Sequence, residues 1–365
     1  MLIYILTIAV TTALAWLYTR TTPSARKLLM VAIVLIPTLV AGLRGVGTDY
    51  LLYQKRFAEL AAGTYEITDF SLVYVFMLLF NKLGIGYQVL IGLIALVTLS
   101  ATFFVFSKYA DRCNFAVSVF SYMTMFYLMS FNIFRQLLAT SLLMLAFYFL
   151  FEKKRTILFW VLSVVVFLIH SAVALYSLLF FFIPLIREEK FRKTRIIIYL
   201  AICAAILALP MLTPLFTFLA ARFPHYAYYF LNFGYASIGS GILRYLILCI
   251  MPLACIIWLR GSFSYTPPAK IQPYIVLCVA GSILWLTSYV STSYLYRIGY
   301  VGLAALPLVH GLIFKCMPAR NTEQLFFKTM LRCLLVVTLI FFCWFDFVKL
   351  NSGMIYPYQF FWQAH

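Results

Sequence analysis

The sequence predicts an all-α, polytopic integral membrane protein of about twelve transmembrane helices, because several apolar runs reach the roughly 20 residues that cross a bilayer. Hydrophobic residues make up 65% of the 365-residue chain and charged residues only 10%, where soluble proteins carry about 25% charged residues. The mean hydropathy is +1.01. The alternating apolar–polar strands of a membrane barrel are absent, so the spanning elements are read as helices.

Taken in order, the first helix is expected at about 2–19. It lacks the basic n-region and small-x-small site of a cleavable signal, so it is read as a span. A second helix at 28–43 leads into a polar segment, 44–68, read as an outer loop. Residues 69–85 are apolar but short, and an interfacial or re-entrant helix fits them. Spans follow at 87–107, 113–131 and 134–151. Residues 156–186 are too long for one ordinary span, which predicts two short helices with the turn at His170–Ser171. A helix running to about Thr213, an outer aromatic loop at 214–241, helices at 242–259, 271–291, 297–314 and 331–349, and a tail complete a single transmembrane domain.

The basic residues orient this bundle. Of 28 Lys and Arg, 19 fall in the loops near 20–27, 108–112, 152–155, 187–195, 260–270 and 315–332, which the positive-inside rule assigns to the cytoplasm. Both termini then face out. The formal net charge of +18 reflects these short bilayer-flanking clusters and anionic lipid rather than nucleic acid. The eight cysteines are scattered without a CxxC, which argues against a disulfide framework and a zinc site.

The sharpest change of character is at 41–57, AGLRGVGTDYLLYQKRF. An apolar helix ends, and arginine, glycines, aspartate and tyrosines follow. The topology places Arg44, Arg135, His170, Arg244 and Arg297 near the outer ends of helices. One arginine there can snorkel to headgroups. Four at one depth fit a cationic cavity open to the outside, where planar guanidinium forks would hold the diphosphate of a lipid-linked ligand. Gly45 and Gly47 allow a tight turn beside a ligand. Asp49 can pair with an arginine, orient a sugar hydroxyl or accept a proton. Tyr50 and Tyr53 can stack on sugars or sit in an interfacial belt. Gln136 projects about 100° from Arg135 around its helix. His170 is either a packing residue or a general base, since imidazole titrates near neutrality.

GLRGVGTDYLLYQKRF, the run FRQLLATSLLMLAFYFL at 134–150, IHSA at 169–172, the Arg-x-x-Tyr at Arg297–Tyr300 and YPYQFF near the end together resemble the EpsG/Wzy-type polysaccharide polymerases. The resemblance implies a GT-C-like glycosyltransferase of the bacterial inner membrane, its active site facing the periplasm or exterior. It implies transfer of a growing O-antigen, capsule or exopolysaccharide chain from undecaprenyl diphosphate to the non-reducing end of a lipid-linked repeat. Lipid-linked oligosaccharide is then donor and acceptor, and a chain-length regulator is an expected partner. Arg44, Arg135, Arg244 and Arg297 would meet the diphosphate. His170 or Asp49 would take the acceptor proton, and Tyr50, Tyr53, Gln136, Tyr300 and Tyr358 would meet sugar. No cofactor is expected, and no carboxylate cluster suggests Mg²⁺. A flippase would also want a cationic cavity, but should show internal repeats and polar residues at the midplane. A membrane O-acyltransferase would want its histidine within reach of a cytoplasmic donor.

The topology is tested by labelling. In a background without native cysteines, Thr64→Cys and Ser352→Cys should react with an impermeant reagent on intact cells and Lys154→Cys should not. The opposite pattern would invert the orientation.

Overall fold

The computed structural model describes residues 1–65, 71–182, 213–222, 246–250, 252–256, 270–288, 294–316 and 321–363. The expected helix before Thr213, most of the aromatic loop, Arg244 and the loop at 187–195 lie outside the described residues. The described residues are helical, apart from one isolated bridge between Arg44 and Phe360. They form two compact units: Met1–Ala174 with His310–His365, and Leu175–Val309.

In the first unit, α1 (Leu2–Tyr18) packs on α2 (Pro23–Gly42). Pro23 opens α2 where its missing N–H costs nothing. The segment read as an outer loop is largely a helix, α3 (Thr48–Ala61), and it packs on α4 (Leu72–Lys82). At 11 residues, α4 is about 16 Å long, half a bilayer core, as the interfacial reading of 69–85 requires. The long helix α5 (Tyr87–Lys108) lies between α2 and α7 (Phe134–Lys153). Gly42 of α2 meets Gly92 of α5, where an added Cβ would come within 3.1 Å of the opposing Cα.

The span expected at 113–131 is regular only as α6 (Phe115–Tyr122). It continues as a π turn, Met123–Tyr127, and a 3-10 turn, Met129–Phe131. α8 (Thr156–Ile169) follows α7 and ends at His170, whose backbone is extended (φ −157°) before the short α9 (Ser171–Ala174). The break at His170–Ser171 therefore falls where chain length alone put it.

The second unit includes α10 (Thr213–Arg222), α11 (Gln272–Ser288) and α12 (Tyr294–Leu303). α11 and α12 approach through bare backbone. A Cβ on Gly281 would lie 2.6 Å from the Gly299 carbonyl oxygen, and one on Gly302 2.3 Å from that of Leu277. Small residues allow such close packing where lipid supplies no hydrophobic drive. The span expected at 297–314 is broken between α12 and α13 (Leu306–Cys316). Pro307, in the first turn of α13, cannot donate to the preceding turn. The last helix, α14 (Thr322–Trp344), starts well before residue 331 because the Asn321 side chain caps it, accepting from the Gln324 amide at 2.8 Å.

Among the described residues, four helices are long and apolar enough to cross a membrane, or five if a bent pair counts as one span. His310 is fully buried, its Nδ1 2.7 Å from the Ser121 hydroxyl. That places it in the packing between α6 and α13, away from any outer site.

Because the α11–α12 crossing has no room for a side chain, Gly302→Val should overpack it by at least about 1–3 kcal/mol. Thermal unfolding in detergent should show the loss. An unchanged midpoint would mean that the two helices do not pack this closely.

Candidate functional site

The last four carbonyls of α2 have no partner within the helix. Each is satisfied from elsewhere. The Tyr358 hydroxyl donates to Val40 at 2.9 Å, and the Arg44 guanidinium donates to Ala41. The Gln88 amide donates to Gly42, and the Phe361 amide donates to Leu43 at 2.9 Å. A cation at a helix C-terminus also meets the negative end of its dipole.

Arg44 is only 2% exposed. Its guanidinium carbon lies 4.5 Å from the Phe131 ring centroid and 6.0 Å from that of Tyr50. Tyr87, Tyr127, Tyr50 and Tyr4 are close enough to counteract the lowering of its pKa by burial. These phenols spend their protons elsewhere: Tyr50 on Gln88, Tyr87 on the Tyr50 carbonyl, Tyr127 on Pro37 and Tyr4 on Ile355. What the cage offers the cation is therefore oxygen lone pairs and ring faces. Arg44 has no ion pair with Asp49 among the described residues.

This corrects the expected outward-opening cavity around Arg44: the side chain is turned inward as the cap of α2. Tyr50 (1% exposed), Tyr53 (2%) and Gln136 (5%) are buried too, so none offers a face on which a sugar can stack. Tyr358 is half-buried, and its hydroxyl is committed to α2. Burial pushes its pKa up to about 12.

The glycines have an internal reason as well. Gly47 has φ +110°, and a Cβ there would sit 2.6 Å from the Phe131 carbonyl oxygen. The residues after α14 form a strap over this turn. Gly45 donates to Gln359 at 2.8 Å, Gly47 to Met354 at 3.2 Å, and Thr48 to Gly353 at 3.0 Å. The presumed tail is thus part of the motif's own framework.

A second cluster lies along α3 and α4. Arg135, in the first turn of α7, has its guanidinium carbon 5.0 Å from the Tyr53 centroid and 5.8 Å from that of Tyr74. Arg56 approaches the same rings at 5.1 and 5.9 Å, and Tyr65 at 5.6 Å. It also donates to the Tyr74 hydroxyl. Burial pulls the Arg56 pKa down, but the Tyr74, Tyr53 and Tyr65 oxygens reverse this and leave it raised. Tyr53 and Tyr74 stack at 6.1 Å, and Phe134 meets Tyr53 edge-on at 4.8 Å. Both arginines are half-buried. Neither forms an ion pair among the described residues.

Asp49, half-buried in the first turn of α3, lies one turn before Tyr53 and raises its pKa, while burial does so more and Arg135 opposes. His170 is half-buried and follows Ile169, whose carbonyl accepts from the Ser71 hydroxyl at 3.2 Å. Ser71 caps α4, one turn before Tyr74. Asp49 on α3 and Arg135 on α7 thus both act on Tyr53, and the Ser71 bond ties the end of α8 to the start of α4. Arg297 and Tyr300 belong to the second unit. There Arg297 Nε donates to the Tyr296 hydroxyl at 3.4 Å, and the Tyr300 ring lies 5.7 Å from that of Trp285.

The EpsG family model matches residues 27–360, which takes in the motif, both arginine clusters, His170 and the strap. The chain belongs to the EpsG family. Searches of curated proteins and of solved structures gave no match. As an EpsG-family protein it is a membrane protein whose family points to a polysaccharide-polymerase type of role. The sequence reading missed Arg56, Tyr74, Tyr65 and Gln88. Arg56 was legible in part, because it stands three residues after Tyr53 on one helix face. Its partner Tyr74 is reached only through the fold.

The two kinds of arginine should separate on substitution. Arg44→Ala leaves a void and an unpaired Ala41 carbonyl, at a cost of at least about 2 kcal/mol. Arg135→Ala loses only ring-face contacts, about 0.5–1 kcal/mol. Thermal unfolding of the purified variants measures both. Equal shifts would contradict the cage.

Proposed function

We propose that the protein is a polysaccharide polymerase. It transfers a growing glycan from undecaprenyl diphosphate to the non-reducing end of a lipid-linked repeat, at the outer face of the inner membrane, in a GT-C-like bundle of about twelve spans. Beyond family membership, one observation carries this reading. Arg56 and Arg135, half-buried and without a carboxylate partner among the described residues, flank the same two tyrosines. Arg56 spends one donor on Tyr74, out of the five a guanidinium carries. The remaining donors suit a diphosphate whose lipid tail stays in the bilayer.

In this reading the acceptor hydroxyl oxygen attacks the donor's anomeric carbon. The bond from that carbon to the diphosphate oxygen breaks, and the electron pair leaves with the lipid diphosphate. Arg135 and Arg56 stabilise the charge that grows there, so the transfer needs no metal. The acceptor proton goes to His170 or Asp49. His170 is preferred because neutral imidazole is the stronger base near pH 7. It lies outside any helix, at a turn fixed through Ser71 to the helix that carries Tyr74.

The test is elongation of a purified lipid-linked repeat, with binding measured separately. Arg135→Lys and Arg56→Lys keep the charge but lose the planar fork. Each should cut elongation at least about tenfold at normal protein level. His170→Ala should lose about 10²–10⁴-fold in rate and keep binding. A deletion strain should lose long chains and retain single repeats at the surface. Loss of the single repeats as well would point to a flippase.

A further inference from the structure

The N-terminus of α3 has no cap of its own. Its N-cap residue is Gly47, which has no side chain, at φ +110°. A serine or asparagine could not replace it, because the Cβ would strike the Phe131 carbonyl. The cap comes from a residue 84 positions away. Asn132 Oδ1 accepts from the Thr48 amide at 3.0 Å and from the Thr48 hydroxyl at 3.2 Å. The same side chain donates through Nδ2 to the Ser352 carbonyl of the strap at 3.2 Å. Gly353 is confined to glycine in turn, since its φ is +84° and a Cβ would lie 1.5 Å from Asn132 Nδ2.

Asn132 also stands just before α7, closing the 3-10 turn Met129–Phe131 and leaving Ile133 as the N-cap of the next helix. One short amide therefore joins three chain segments: the first residue of the helix that carries Tyr53 and Arg56, the approach to the helix that carries Arg135, and the strap. Arg56 and Arg135 converge on Tyr53 and Tyr74 only if α3 and α7 hold a fixed relation at these two ends. No other described side chain hydrogen-bonds both Thr48 and the strap.

We infer that Asn132 is a positioning residue of the polymerase site: it caps α3 in trans and thereby sets Arg56 against Arg135. This rests on the function proposed above. An acceptor at residue 132 is what the cap requires, and the donor serves only the strap. Aspartate at 132 would keep the acceptor and add charge at the positive end of α3, but would lose the donation to Ser352.

The experiment uses the full chain in nanodiscs and has two readouts. The first is amide hydrogen exchange of the segment 43–57, which does not depend on any reaction. Asn132→Ala should raise exchange there, while Asn132→Asp should leave it near wild type. The second is steady-state elongation of a purified lipid-linked repeat. Asn132→Ala should raise KM for the diphosphate-linked donor about tenfold, the size of one lost cap, with a smaller change in kcat. Asn132→Asp should restore it. Unchanged exchange in Asn132→Ala would overturn the trans cap. Raised exchange with unchanged KM would overturn the positioning role. A wild-type protein that elongates nothing would instead refute the proposed function, with the exchange result still deciding the cap. A fall in unfolding temperature shared equally by both variants, with equal kinetic loss, would reduce Asn132 to a folding residue.

Discussion

The C-terminus of α2 is the constraint on which the first compact unit depends. A helix that ends beneath a water-poor surface leaves four carbonyls to satisfy, and here none is left to solvent. Arg44 takes one of them from directly below the turn, and in doing so its charge is carried into the protein. A buried guanidinium is expensive unless its surroundings compensate. The compensation comes from Phe131 and the phenols of Tyr4, Tyr50, Tyr87, Tyr127 and Tyr358. Their protons go to backbone carbonyls or Gln88, so the groups that partly offset the burial of Arg44 also tie α5 to α3, the π turn and the strap to α2, and α1 to the strap.

Once α2 is closed in this way, the conspicuous motif becomes a structural joint. Gly47 is needed because Phe131 approaches, and the strap pairs with the backbone of Gly45. The proposed site lies one to two turns along α3. Tyr53 and Arg56 meet Arg135 there, with Tyr74 brought in from α4. A division follows from burial: an enclosed arginine that gives one donor to a helix end, and half-buried arginines that rest on ring faces.

The separation also bears on how such a site works in a membrane. In the proposed transfer a diphosphate arrives with its lipid tail in the bilayer and leaves after each addition. A cage as closed as that of Arg44 would have to open each time. Arg56 and Arg135 rest on ring faces, contacts worth little each, so an incoming phosphate can replace them without dismantling a core. α4, at 11 residues, is too short to span, and it carries Tyr74 with Ser71 tied to the end of α8.

Hydropathy and charge placement in the sequence were enough for the helical membrane class, for the short helix at 72–82 and for the break at His170, because these follow from local composition and the length of a bilayer crossing. The motif at 44–50 and Arg135 were legible as unusual residues for the same reason: charge at the end of an apolar run stands out. Which of them face inward was not legible. Arg44 and Arg135 look alike in one dimension, each an arginine beside apolar residues at the outer end of a helix. They differ in whether a carbonyl or an open ring face lies within reach. Tyr358 meets Val40 across 318 residues and Asn132 meets Ser352 across 220, and no periodicity or spacing encodes such pairs. Only the tertiary structure made the tail a strap, gave α3 a cap from the turn before α7 and put Arg56 beside Tyr74, because hydrogen bonds and ring contacts act over a few ångströms of space and are blind to distance along the chain.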